Sequence, residues 1–222
     1  MFSRVILAAG IGLILCATAT AGTTILGTTG WEATWDPSLD PYVDINFNGA
    51  TSSVIFIQKS AEFIQGPDEF SQFPSIPITF QQTGPSTITQ IVIQDEIITN
   101  STGFDWTDFH FDLLDGEDAF FDNGPGFFFT TSPLDNQSFS GDLQSFWVDG
   151  FGLGPNGTDA VVPAGSVWFP GDGASDGNLV IDVFSNSGPP FTTFTLKETP
   201  TPEPVSLALM AMSGLAILRR RR

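Results

Sequence analysis

Hydrophobic and polar residues alternate over short stretches in the middle of the chain. Residues 42–47 and 108–113 show this most clearly, because every second side chain is hydrophobic in both. Successive side chains of an extended strand point to opposite faces of a sheet, so these stretches predict half-buried β-strands. The side chains expected on the buried faces are Val43, Ile45 and Phe47 in the first stretch and Phe109, Phe111 and Leu113 in the second.

Short apolar runs and turn signals extend this pattern along the chain. Further strands are predicted at residues 54–57, 91–93, 127–129, 167–169, 179–184 and 192–196. Gly and Pro pairs such as Asn48-Gly49 mark turns between them, and no window outside the two termini shows sustained helical spacing. We therefore predict an all-β chain with a single β-sandwich or jelly-roll domain over residues 22–199.

Residues 1–21 have the composition of a secretory signal peptide. Arg4 is their only cation, residues 5–17 are apolar, and Ala19-Thr20-Ala21 offers a small-residue cleavage site. Cys16, the single cysteine of the chain, lies in this segment. A mature protein that begins at Gly22 would therefore have neither disulfides nor thiolate chemistry.

Residues 200–222, at the C-terminus, form a unit separate from the predicted domain. Pro202, Glu203 and Pro204 precede an apolar run over residues 205–218, and the chain closes with Arg219, Arg220, Arg221 and Arg222. As a helix the run would rise about 21 Å, which is short of the bilayer's hydrocarbon core of about 30 Å. The arginines should remain on the cytoplasmic side, since they cross a bilayer at high cost. The segment is therefore predicted to be a short transmembrane helix that inserts only transiently in the inner membrane.

This arrangement resembles the PEP-CTERM sorting signal of Gram-negative bacteria. The Pro-Glu-Pro motif, the short apolar helix and the arginine cluster carry the resemblance, which covers only residues 202–222. It implies that a membrane-embedded exosortase is a partner that removes the tail, and that the product is secreted or reaches the cell surface. It also implies an association with extracellular polysaccharide or biofilm, but no activity for the residues upstream. An ordinary C-terminal membrane anchor is the alternative interpretation.

The charge of the region between the two signals limits its partners. All of the chain's 25 acidic residues except Glu203 lie between Gly22 and Pro200, where the only cations are Lys59 and Lys197. Recognition of phosphate groups depends on Lys and Arg, so nucleic acid is not expected as a partner. An acidic surface suits a soluble exported protein or one that binds a cation.

Acidic side chains are densest in residues 105–122, where Asp115, Glu117 and Asp118 surround Gly116 in a predicted hairpin turn. Crowded carboxylate oxygens are the ligands that calcium prefers. These three residues are therefore candidate calcium ligands, and calcium is the one cofactor considered. A solvated acidic turn that binds nothing is the alternative.

Aromatic side chains suggest a second kind of site. Trp31 and Trp35 lie in the polar segment 30–41, where we expect them to be exposed. Exposed aromatic rings can stack on sugar rings, so both are candidate carbohydrate-binding residues. The alternative is that they fill the core.

Residues 98–110 resemble a stretch with the pattern N-[ST]-T-G-x-x-W-x-D-F-H that recurs in secreted bacterial β-rich proteins. The resemblance implies a shared structural unit without a known activity. We expect a turn at Thr102-Gly103, after which Trp106 and Phe109 enter the core, while His110 lies on the polar face beside acidic residues.

The residue inventory argues against an enzyme. The chain has one histidine, and the predicted mature domain has no cysteine or arginine, which excludes most nucleophile–base and phosphoryl-transfer arrangements. Glycoside hydrolysis needs only two carboxylates and stays open as a lesser alternative. We therefore predict an exported, non-catalytic protein with a structural or adhesive role, with a carbohydrate- or calcium-binding module as the alternative.

Overall fold

The computed structural model describes residues 21–115, 118–124, 133–134, 136–150, 160–170 and 178–202. These residues form β-strands joined by turns, with one short 3-10 helix at Pro37–Leu39. The strands are β1 (Gly22–Ile25), β2 (Trp31–Trp35), β3 (Val43–Ala50), β4 (Val54–Phe63), β5 (Ile76–Gln82), β6 (Gln90–Asn100), β7 (Trp106–Leu114), β8 (Ala119–Phe121), β9 (Asn136–Phe139), β10 (Ser145–Asp149), β11 (Val167–Trp168), β12 (Leu179–Val183) and β13 (Thr193–Pro202).

The strands form two open sheets. The larger sheet has the order β1-β2-β5-β13-β7-β10-β9, and all its neighbouring strands are antiparallel. The smaller sheet has the order β3-β4-β6-β12-β8, and β11 pairs with β6 beside this path. Strands β4 and β6 are parallel, while the other described pairs of the smaller sheet are antiparallel. The chain is therefore all-β, as predicted.

One hydrophobic core includes side chains from both sheets. Phe109 and Phe111 of β7 and Phe63 of β4 are buried, and the rings of Phe63 and Phe109 meet edge to face with centroids 5.6 Å apart. Each fully buried side chain of this size contributes about 1.5–3 kcal/mol through removal of apolar surface from water. Two open sheets with a common core are consistent with a β-sandwich.

Alternation identified the buried face of β7 correctly and that of β3 only in part. Phe109, Phe111 and Leu113 are buried, as are Val43 and Ile45, but Phe47 is exposed. The β3–β4 pairing shifts register between Phe47 and Gly49. The shift lies beyond Phe47, which still pairs with the buried Ile57, so the exposure of Phe47 comes from its place at the end of the regular pairing.

The predicted turn at Asn48-Gly49 is wrong, because both residues belong to β3. The chain reverses after this strand, where the hydroxyl of Thr51 accepts hydrogen bonds from the backbone N–H groups of Ser53 and Val54. A threonine side chain thus closes the β3–β4 connection.

The last strand is longer than the sequence predicts. The domain boundary was expected at Thr199, but β13 continues to Pro202. Its pairing with β5 ends at Glu198, whereas its pairing with β7 continues to Pro202. Pro200 and Pro202 therefore lie beyond the part of β13 that has two neighbours, which is where a sheet tolerates residues without an N–H donor.

Within the described ranges, no helix is long and apolar enough to cross a membrane. The predicted signal peptide and the predicted hydrophobic helix over residues 205–218 lie outside these ranges, as does the predicted strand at residues 127–129.

Candidate functional site

A polar cluster lies on the outer face of the larger sheet. It is centred on β7, where His110 lies between Asp108 and Asp112 on the face opposite the buried phenylalanines. Strand register places Trp147 of β10 beside His110 and Lys197 of β13 beside Asp112. We call these five residues the outer-face cluster.

Hydrogen bonds and ion pairs connect this cluster. His110 Nε2 lies 2.8 Å from Asp108 Oδ2, and Lys197 Nζ lies 3.2 Å from Asp112 Oδ2. The hydroxyl of Ser145 donates to Asp112 Oδ1 at 2.8 Å. The His110 and Trp147 rings are nearly parallel, with an interplanar angle of 18° and centroids 6.1 Å apart. The cluster therefore presents an aromatic surface beside charged hydrogen-bonding groups.

The surroundings of His110 favour its protonated form. The hydrogen bond with Asp108 raises the pKa of His110 above its ordinary value of 6.5, and the charges of Asp108 and Asp112 add to the increase. Partial burial and the charge of Lys197 oppose it. The predicted position of His110, on the polar face beside two acidic residues, is confirmed.

A second charged cluster is completely buried between the sheets. Lys59 of β4, Glu96 of β6 and Glu198 of β13 have no exposed surface. Lys59 Nζ contacts Glu96 Oε1, and it lies 2.7 Å from Glu198 Oε1 and 2.8 Å from Glu198 Oε2. Glu96 Oε2 has no hydrogen-bond partner within the described part of the chain. We call these three residues the buried triad.

Burial dominates the electrostatics of the triad. It raises the pKa of Glu96 to about 8; the Lys59 charge opposes this increase, and the Glu198 charge adds to it. Burial also raises the pKa of Glu198, against the effect of Lys59. Burial alone would lower the pKa of Lys59, but the two carboxylates raise it overall. Protonation of Glu96 at neutral pH would leave Glu198 as the acidic partner of the Lys59 ammonium.

The triad is not predicted by the hydrophobic and polar pattern of the sequence. A signal was present, because Lys59 occupies a buried position of β4 between Ile57 and Ala61, where alternation predicts a hydrophobic residue. The sequence does not show that Glu96 and Glu198 are its partners, since the three residues come from strands that are distant in the sequence.

Asp115 and Asp118, two of the proposed calcium ligands, lie between β7 of the larger sheet and β8 of the smaller sheet, so this connection is not the predicted hairpin turn. Asp115 and Asp118 are exposed, and Asp115 has a positive φ of 65°. Glu117 lies outside the described residues. Across the described ranges, no group of three or more His, Cys, Asp or Glu side chains is arranged to hold a metal ion. Calcium binding here stays a prediction.

The expectation that Trp31 is exposed is wrong. Trp31 is only 1 % exposed, its ring packs near Phe194 of β13, and its Nε1 donates to the hydroxyl of Ser185. The reason is strand alternation, because Trp31 and Ala33 share the core-facing side of β2. Trp35 is partly buried against the core, and its Nε1 donates to Asp40 Oδ1 at 3.0 Å.

Residues 100–106 form a hydrogen-bonded corner rather than an open site. Asn100 Oδ1 accepts from both the backbone N–H and the hydroxyl of Thr102, and the Thr102 hydroxyl accepts from Trp106 Nε1. Asn100 Nδ2 donates to the carbonyl oxygens of Phe104, Val162 and Pro163. The predicted turn and the burial of Trp106 and Phe109 are confirmed, and the network explains why this segment needs Asn and Thr.

Pro202 is the last described residue and ends β13, whereas Glu203, Pro204, Arg219, Arg220, Arg221 and Arg222 lie outside the described residues. No protein-family model, curated protein or solved structure matches the chain.

Proposed function

We propose that the protein is exported and has a non-catalytic structural or adhesive role in extracellular matrix or biofilm, after an exosortase removes its tail. The observation that carries the proposal is the C-terminal sequence Pro202-Glu203-Pro204, apolar run and arginine cluster. The N-terminal segment, with the features of a signal peptide, supports the same route. Secretion or display at the surface of a Gram-negative cell follows from this route.

The all-β fold suits this role. Two sheets with a large hydrophobic core can persist outside the cell without disulfides. In this proposal the domain is a β-sandwich between the signal peptide and a short hydrophobic helix. The first residue of the sorting motif is also the last residue of β13, so the tail would leave directly from the larger sheet.

Fractionation of the producing cells tests the structural role. The intact strain should contain the protein in its matrix fraction, and deletion of the gene should reduce matrix cohesion. A deletion strain that expresses the protein without residues 202–222 is the control for the tail. Unchanged matrix after deletion, or a protein confined to the cytoplasm, would contradict the proposal.

Carbohydrate binding is a second candidate function, and the outer-face cluster favours it. Trp147 is partly exposed and lies beside His110, Asp108 and Asp112, which supply hydrogen-bonding groups for sugar hydroxyls. Trp35 remains the other candidate, whereas the burial of Trp31 removes it as a direct contact.

A glycan array with extracellular polysaccharides tests this candidate. We expect saturable binding that falls at least tenfold in Trp147→Ala, which corresponds to about 1.4 kcal/mol. Phe70→Ala is the matched control, because Phe70 is exposed and lies outside the cluster. A wild-type protein that binds no glycan on the array would contradict carbohydrate binding.

A further inference from the structure

We propose that the buried triad forms an intramolecular cross-link, an amide bond between Lys59 Nζ and the side-chain carbonyl carbon of Glu96, with Glu198 as the proton acceptor. The inference does not depend on the proposed function. It concerns a covalent modification that the chain would complete by itself.

Strand register brings the reacting groups together. Lys59 and Glu96 are direct partners in the parallel pairing of β4 with β6, so their side chains leave the same sheet side by side. Glu198 approaches from β13 of the other sheet and has both carboxylate oxygens within 2.8 Å of Lys59 Nζ. An amine, an acyl carbon and a base are thus held in one place, and such positioning replaces the entropy that a bimolecular reaction must lose.

The surroundings exclude water from this site. Buried residues next to the triad on the same strand faces include Ile57, Ala61, Ile98 and Leu196. In such surroundings an ammonium and two carboxylates are costly to keep ionised. The triad also leaves Glu96 Oε2 without a hydrogen-bond partner in the described structure. An amide between Lys59 and Glu96 would remove the ionisable groups of both side chains.

The two glutamates have different roles. Glu96 carries a proton at neutral pH, because its pKa is about 8, and a protonated carboxyl group accepts a nucleophile far more readily than a carboxylate does. Glu198 contacts Lys59 Nζ with both oxygens, which places it to take a proton from the ammonium. Glu96 is therefore assigned as the acyl donor and Glu198 as the base.

The step balances without an added reactant. Glu198 takes one proton from the Lys59 ammonium, and the free amine forms a bond to Cδ of Glu96. Glu198 then relays a proton from the nitrogen to the departing hydroxyl, so that the Cδ–O bond breaks and one water molecule leaves. One proton remains on Glu198 at the end, so the triad starts and finishes without net charge. The Glu198 carboxyl can then donate a hydrogen bond to the new amide carbonyl.

Mass spectrometry of the protein purified from its producing cells tests the proposal, after peptide mapping has identified its two termini. The intact mass should be lower by one water molecule than the mass of the sequence between these termini. Lys59 is the only tryptic site between Arg4 and Lys197, and its amide would block cleavage. We therefore expect a tryptic fragment that runs uninterrupted through Lys59 to Lys197.

Three variants give the proposal its sharpest test. Glu96→Gln should lose ammonia instead of water and form the same amide. Glu198→Gln removes the base but leaves a charge-balanced Lys59–Glu96 pair, so it should fold, retain its full mass and be cleaved after Lys59. Lys197→Met is the matched control, since it removes the other lysine of the domain and should still lose water.

Two results would overturn the cross-link. The first is a wild-type protein of full mass that trypsin cleaves after Lys59. The second is a water loss that persists in Lys59→Met, because this would place the dehydration elsewhere, for example at an Asp-Gly pair. Water loss that persists in Glu198→Gln would overturn the role assigned to Glu198. Far-UV circular dichroism establishes that each variant has folded.

Discussion

At the scale of single residues, His110 is the most accessible probe of the structure. It is the only histidine of the chain, so its ring signals in an NMR titration need no further assignment. We expect its pKa to lie above 6.5, because it shares a hydrogen bond with Asp108. Its contribution to stability should therefore be complete below pH 6.5 and disappear as the pH rises through the pKa of the folded protein.

Asp108→Asn should lower this pKa, since it removes both the carboxylate charge and the strongest hydrogen-bond acceptor beside His110. Asp44→Asn is the control, because Asp44 is exposed on β3 in the other sheet. If the pKa of His110 is the same in the wild-type protein and in Asp108→Asn, the 2.8 Å contact with Asp108 does not control that pKa.

Asn100→Asp tests the hydrogen-bonded corner after β6. The substitution keeps the size of the side chain but places a carboxylate oxygen against three carbonyl oxygens that now accept from Asn100 Nδ2. We expect a loss of about 2–4 kcal/mol in the free energy of unfolding, measured by urea denaturation. Asn123→Asp makes the same chemical change at an exposed position and should have little effect. Equal stability of the two variants would contradict the role of the corner.

The alternation of the sequence located many buried hydrophobic residues, but it did not predict that charged residues are buried as well. The position of Phe109 in the core could be predicted because its strand alternates clearly, whereas Trp106 is buried out of phase with Phe109 at the start of β7. Trp31 was misplaced because its neighbours are polar, although its strand phase points into the core. The buried triad could not be assembled from sequence, since each of its members needs two partners that only the tertiary fold supplies.

At the scale of elements, β7 supplies several large aromatic side chains to the core. It lies between β13 and β10, and Phe109 packs against rings of Phe63, Phe111 and Trp168. Phe109→Ala should lower the free energy of unfolding by about 3–5 kcal/mol, because it leaves a cavity that the sheets cannot close.

Phe70→Ala is the matched control for this change. Phe70 is 74 % exposed, so its replacement should leave the free energy of unfolding almost unchanged. Chemical denaturation followed by tryptophan fluorescence measures both. A Phe109→Ala protein as stable as Phe70→Ala would mean that the two sheets do not share the core described above.

Strand pairing shows where sequence reasoning reaches its limit. Short apolar runs indicated parts of β4, β6 and β12, but no local pattern reports that β4 and β6 are parallel. Likewise, the domain was expected to end at Thr199, and only the early end of the β5–β13 pairing shows why Pro200 and Pro202 fit in a strand. Local preferences identify strands, whereas neighbours in the sheet decide their length and direction.

At the scale of the whole molecule, the folded domain and the two terminal signals would act at different stages of the proposed export route. The all-β domain would remain after export, while residues 203–222 would serve only to direct the precursor to its processing enzyme. The cross-link would suit the exported stage, because a domain without cysteine has no disulfide to join its strands. The proposed cross-link and the proposed processing of the tail can nevertheless be disproved independently of each other.

The most direct test of the proposed route is the mass of the C-terminal peptide of protein recovered outside cells that have an active exosortase. We expect a terminus upstream of Arg219, and a precursor with all four terminal arginines in cells whose exosortase has been inactivated. Secreted protein that still ends at Arg222, from cells in which the exosortase demonstrably cleaves another substrate, would contradict the proposed route.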